Sequence, residues 1–143
     1  MDYDTNIEID FFQKEGALDI GSIFEGVYMV DLQHNHKPTE GALRLYIGQS
    51  VYMLKRGGEH LWTLIKEPIY FGLTLDDLRN SNLRLRFSVL EYLPDSTETY
   101  RKEKEVKYIM QFQPLTQMPQ SHMQIRKKLD VVQEQIRLLA WNK

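Results

Sequence analysis

The chain contains no cysteine in its 143 residues. That excludes a disulfide framework and any thiolate metal site. No apolar run approaches the roughly 20 residues a helix needs to cross a bilayer. The opening Met1-Asp2-Tyr3-Asp4 is acidic and lacks the basic start and apolar stretch of a secretory signal. These absences set the expectation of a cytoplasmic protein without membrane contact. Charge of one sign is also scarce, the formal net charge being -2. Proteins that coat duplex nucleic acid are usually basic. Any such contact here would have to come from a small focused cleft, because local potential matters more than the sum. Internal repeats and low-complexity segments are missing too.

What is present fits one globular domain of α+β class, since 143 residues is a common size for a single core. Ile7, Ile9 and Phe11 alternate as a short strand, and the segment then runs through a glycine-broken connection. Gly26 to Val30 is apolar and partly β-branched, as in a strand. His34 to Gly41 is polar and contains Pro38, which predicts a solvated loop. In Ala42 to Gly48, Leu43, Leu45 and Ile47 face one way and Arg44 and Tyr46 the other. The two strands would make a long-looped hairpin.

Ser50 precedes a helical stretch with Val51, Leu54, Leu61 and Ile65 on one stripe. Gly57 and Gly58 interrupt it, and Gly58 falls on the stripe, where a missing side chain would permit close approach to a sheet. Thr74 with Asp77 can open a short helix. Leu83, Leu85, Phe87 and Val89 alternate with Arg84, Arg86 and Ser88, predicting another strand. Asp95 with Glu98 resembles a capping box for a helix to about Phe112. Ser121 would cap a last helix striped by Ile125, Leu129, Val132, Ile136 and Leu139. The expected architecture is a small antiparallel sheet flanked by helices, with an extra C-terminal helix.

Gly26-Val27-Tyr28 and Tyr46-Ile47-Gly48 are followed by Gln49-Ser50, then Arg56, and His60 one helical turn on. Glu105 lies on the later helix, in Glu103-Lys104-Glu105-Val106-Lys107-Tyr108-Ile109. This set resembles the GIY-YIG endonuclease family. The two tripeptides correspond to its signature pair, Arg56 to its essential arginine, His60 to a frequent companion and Glu105 to its metal-binding glutamate. The resemblance covers residues 26–114. It divides the chain into an N-terminal extension (residues 1–25), a nuclease-like domain (26–114) and a C-terminal helical extension packed on it (115–143). The loop between the tyrosines is longer than usual, and the Gly57-Gly58 pair is unusual in the catalytic helix. No asparagine follows the glutamate helix at the customary place, and Gln117 and Gln120 are the candidate substitutes.

The resemblance implies hydrolysis of DNA phosphodiester bonds with Mg²⁺ or Mn²⁺. That reaction needs an activated water, neutralisation of the developing pentacovalent phosphorane and stabilisation of the leaving oxygen. Mg²⁺ often takes one or two carboxylates and keeps several waters, so one glutamate can suffice. Helical spacing favours Glu105 over Glu103, because Glu105, Ile109 and Phe112 share a face. Arg56 and His60 are four apart and also share one. Arg56 offers a planar fork for phosphate, and His60 a proton shuttle or a hold on Tyr28. By the resemblance Tyr28 is the general base or water-positioning group, supported by Tyr46. A phenol with a pKa of about 10 needs a nearby cation for such work. Gly48, Ser50 and Arg84 stand on the substrate side.

Each residue alone has a plainer reading: strand packing for the tyrosines, surface charge for Arg56, a helix ion pair with Arg101 or Lys102 for Glu105. The conjunction carries the functional one. Two rivals accompany it. One is a binding module for nucleic acid or protein on the same fold, without catalysis. The other is a subunit whose C-terminal stripe recruits a partner, including a second copy as a homodimer. His34-Asn35-His36 lacks further metal ligands and reads as a solvated loop.

Overall fold

The structure is a computed structural model and describes residues 5–117 and 125–143. Strands β1 (Glu8–Phe11), β4 (Gly26–His34), β5 (Leu43–Ser50) and β6 (Leu83–Tyr92) form one sheet in the order β1-β6-β4-β5. A small hairpin of β2 (Gln13–Lys14) and β3 (Ala17–Leu18) stands beside it. Its turn residues Glu15 and Gly16 both have positive φ, 53° and 80°, which matches the twist of a two-residue hairpin. The helices are α1 (Met53–Lys66), α2 (Leu75–Leu78), α3 (Glu98–Phe112) and α4 (Ile125–Leu138). The class is α+β.

The sheet is mixed rather than antiparallel, because β1 runs parallel to β6. Residue alternation specifies which face a side chain takes but not strand direction. One sheet face carries Tyr28, Val30, Leu32, Leu45, Leu85 and Phe87 into the main core, with Met53 and Leu64 of α1 and Val132 and Ile136 of α4. The other carries Val27, Met29 and Ile47 against Tyr108, Ile109 and Phe112 of α3. Phe12, just past β1, is fully buried in the main core. Residues 5–25 therefore supply a strand and a core side chain to the same sheet.

Several local expectations change. The pairing of β4 with β5 skips Leu45, going from Val30↔Tyr46 to Asp31↔Arg44. This bulge breaks the alternation, so Leu45 joins the main core while Ile47 faces α3. The buried seam of α1 is Met53, Gly57, His60 and Leu64. Val51 precedes the helix and is exposed, and Leu54 and Leu61 flank the seam half-buried. A stripe counted from apolar letters misses a seam built partly from glycine and histidine. Thr97, not Asp95, caps α3, its hydroxyl accepting from the Tyr100 amide at 3.1 Å. Asp95 instead takes a left-handed φ of 56°, and its amide donates to Glu25 at 2.8 Å. The Thr74–Asp77 capping box at α2 is present in both directions. His34 ends β4 buried against Trp141, ring centroids 6.0 Å apart, rather than in a solvated loop.

The C-terminal stripe docks on the domain. Val132, Ile136 and Trp141 lie in the core. Ala140 takes a left-handed φ of 55° and the Trp141 amide bonds the Ile136 carbonyl at 3.0 Å, closing the helix and turning Trp141 inward. Its indole N–H donates to Glu40 at 2.5 Å. Ser121, read as the cap of this helix, lies outside the described residues. Among them, no helix is long and apolar enough to cross a membrane.

Candidate active site

Strand pairing brings the two tripeptides face to face. Gly26, Val27 and Tyr28 sit opposite Ser50, Gln49 and Gly48. The Leu45 bulge keeps Tyr46 on the side of Tyr28, with ring centroids 6.3 Å apart. The Tyr28 ring lies over Gly48 so closely that a Cβ there would stand 2.5 Å from the Tyr28 hydroxyl and 2.9 Å from Cε1 of Tyr46. Glycine is the residue that fits beneath both rings.

Helix α1 brings His60 against them. Tyr28 Oη shares a 2.8 Å hydrogen bond with His60 Nε2, and Tyr70 Oη a 3.3 Å one with Nδ1. Either neutral tautomer satisfies both contacts, with one nitrogen donating and the other accepting. Tyr46 and Phe71 pack on the imidazole at 4.9 and 5.6 Å. Burial, then the charges of Arg56 and Lys128, push the His60 pKa down to about 4, so it is neutral at pH 7. It can hold Tyr28 but carries no charge to a phosphate.

Tyr28 is 1% exposed. Burial and the neighbouring Tyr46 raise its pKa well above the usual phenol range, so it stays protonated. That geometry does not suit the general-base role expected of it. Tyr46 is half-buried. Burial and Glu105 push its phenol up to about 12, against Arg56 and the Tyr28 hydroxyl, which ease ionisation. Arg56 is partly exposed and pairs with Glu59 at 3.0 Å. Its charge reaches Tyr28, Tyr46 and Tyr70.

Glu105 lies on α3, and its charge acts on both Tyr28 and Tyr46. Burial raises its pKa, opposed by the Gln49 amide and Lys102. The neighbours that could have paired with it are engaged elsewhere. Arg101 is buried and donates to Gln49 at 3.0 Å and to the Ser96 carbonyl at 2.5 Å. Lys102 pairs with Glu98 at 3.1 Å. Among the described residues no cation lies within ion-pair distance of Glu105. A half-buried carboxylate lacking a cation suits a divalent metal. No group of three or more possible metal ligands gathers among the described residues. A bound ion would therefore depend on water and phosphate for most of its shell.

Two expected residues take other places. Arg84 sits opposite Gln33, five residues along β4 from Tyr28, about 16 Å away at roughly 3.3 Å per residue. It forms a two-point pair with Glu8, at 3.1 and 2.8 Å. Ser50 lies beside the tripeptides, but its hydroxyl accepts from the Tyr52 amide at 3.0 Å and serves the entry to α1. Gln117 binds both backbone groups of Ile47, at 2.8 and 2.7 Å, covering the outer edge of β5. Gln120 lies outside the described residues. Tyr70 and Lys128 were not singled out by sequence. Their patterns, a Pro-led turn and a basic run, point to no site.

The chain matches no protein-family model, and no curated protein or solved structure matches it.

Proposed function

We propose that this protein is a metal-dependent endonuclease of GIY-YIG type that hydrolyses phosphodiester bonds of DNA. The observation that carries the reading is convergence. Tyr28 of β4, Tyr46 of β5 and His60 of α1 meet in one interacting cluster, and the charges of Arg56 of α1 and Glu105 of α3 bear on its two phenols.

The roles follow from exposure and charge. Arg56 binds the phosphate. Its pair with Glu59 is solvent-exposed on both sides and such pairs contribute little, so phosphate can displace it. Tyr46 is the phenol the substrate can reach, and it orients the attacking water. Tyr28, protonated and buried, fixes the imidazole and the wall behind Tyr46. Mg²⁺ or Mn²⁺ at Glu105 would supply the charge that acidifies water and stabilises the leaving oxygen.

The rival is a nucleic-acid-binding module on the same fold that does not cut. The fully buried Tyr28 and the single carboxylate favour it. Supercoiled-plasmid nicking separates the two, run with Mg²⁺ or Mn²⁺ and with chelator. The wild type should nick only with metal. Arg56→Ala and Glu105→Ala should each lose about 10²-fold or more, as when a charge-stabilising group is removed, while keeping the far-ultraviolet circular dichroism of the wild type. Binding without metal and without nicking would select the module. Normal nicking by Glu105→Ala would remove the metal assignment.

A further inference from the structure

Resting on the endonuclease reading, we infer that Lys128 of α4 is a DNA-backbone contact of this site, held in place by Tyr70. The two residues continue the cluster beyond His60. Tyr70 lies in the turn Pro68–Phe71, with its hydroxyl 3.3 Å from His60 Nδ1. The Lys128 ammonium stands over the Tyr70 ring, 5.2 Å from its centroid. An aromatic face attracts a cation and fixes where it sits.

The placement of Lys128 is built into the packing of α4. Gly72 follows the turn with a left-handed φ of 74°, and a Cβ there would meet the Lys128 carbonyl and a Val132 methyl at 2.6 Å each. The α4 backbone thus rests directly on Gly72. Gln133 clamps the same point, donating to the Gly72 carbonyl at 2.9 Å and to Asp77 at 2.8 Å. Val132 and Ile136 anchor the helix in the core.

Among the described residues the charge of Lys128 is uncompensated. It is half-buried, and no carboxylate among the described residues lies within ion-pair distance. Arg56, by contrast, shares its charge with Glu59. The charges of both cations reach His60, so they attend the same site. A partly desolvated ammonium without a counter-ion is suited to an anion. In a chain of net charge -2, such a focused cation is what a phosphate backbone can use. A lone ammonium acts as a point charge, so the contact is independent of sequence.

The test is binding of a short fluorescent DNA duplex by the full chain, in chelator, over a series of salt concentrations. A parallel nicking assay supplies KM and kcat. Lys128→Gln keeps a long, helix-compatible side chain. It should lower the slope of log K against log salt by about 0.9, the effect of one phosphate contact, and raise KM with kcat unchanged. Lys128→Arg should restore both. A wild type that nicks, beside a Lys128→Gln variant with unaltered slope and KM, overturns this inference alone. A wild type that neither binds nor nicks overturns the endonuclease reading and the inference together.

Discussion

His60 is a base held neutral among aromatic rings, at 1% exposure. In the unfolded chain it takes up a proton near the ordinary 6.5, whereas in the fold it does so only near 4, burial being the main cause. The folded state thus binds fewer protons between those values, and stability falls as pH drops. The contribution is intact above 6.5 and lost toward pH 4, amounting to roughly 3 kcal/mol. Asp31 and Glu105, whose pKa values burial raises, act in the opposite sense. They are common to wild type and a His60→Gln variant, so they cancel in the comparison. Denaturant titrations at several pH values between 4 and 7 should show the wild type losing stability more steeply than that variant. Parallel pH profiles would mean that the imidazole takes up its proton at the same pH in the folded and unfolded chain. His60 was legible because it sits one turn after Arg56, behind two local tripeptides. Tyr70 and Lys128 were not, because tertiary packing alone brings them to the ring.

At the scale of elements, the adjacent glycines of α1 divide the labour. A Cβ on Gly57 would stand 2.5 Å from Phe12 Cε2, while one on Gly58 would meet nothing within 4 Å. Gly57→Ala should cost about 1–3 kcal/mol by overpacking. Gly58→Ala should gain roughly 0.5–1 kcal/mol, by restricting the unfolded chain and improving helix propensity. Chemical denaturation of the two variants should therefore give shifts of opposite sign, and shifts of one sign would refute this packing. An apolar stripe phased from Val51 puts the close approach at Gly58, but Val51 precedes the helix, whose buried seam runs through Met53, Gly57, His60 and Leu64. The strand with Leu85 and Phe87 and the Thr74 cap were legible from alternation and from a local hydrogen-bonding pair. The Leu45 bulge and the direction of β1 were not, since both are set by a partner strand. The bulge matters most for the site, because it turns Tyr46 toward Tyr28.

The whole molecule is closed by contacts between distant parts of the chain. Glu8 pairs in register with Arg84, and Lys37 donates to the Leu139 and Ala140 carbonyls at 3.1 and 3.2 Å. Trp141 is the largest fully buried side chain. Trp141→Ala should cost about 3–5 kcal/mol, and calorimetry or urea titration would measure the loss. A cost near zero would mean that the C-terminal helix is not seated in the core. The burial of Trp141 has a spectroscopic consequence as well. The other tryptophan, Trp62, is 62% exposed beneath the Lys66 ammonium. One chain thus carries a shielded indole that emits to the blue and a wet one that emits to the red. Acrylamide should quench the red component first, and undocking of α4 should be readable as a colour change without any added dye.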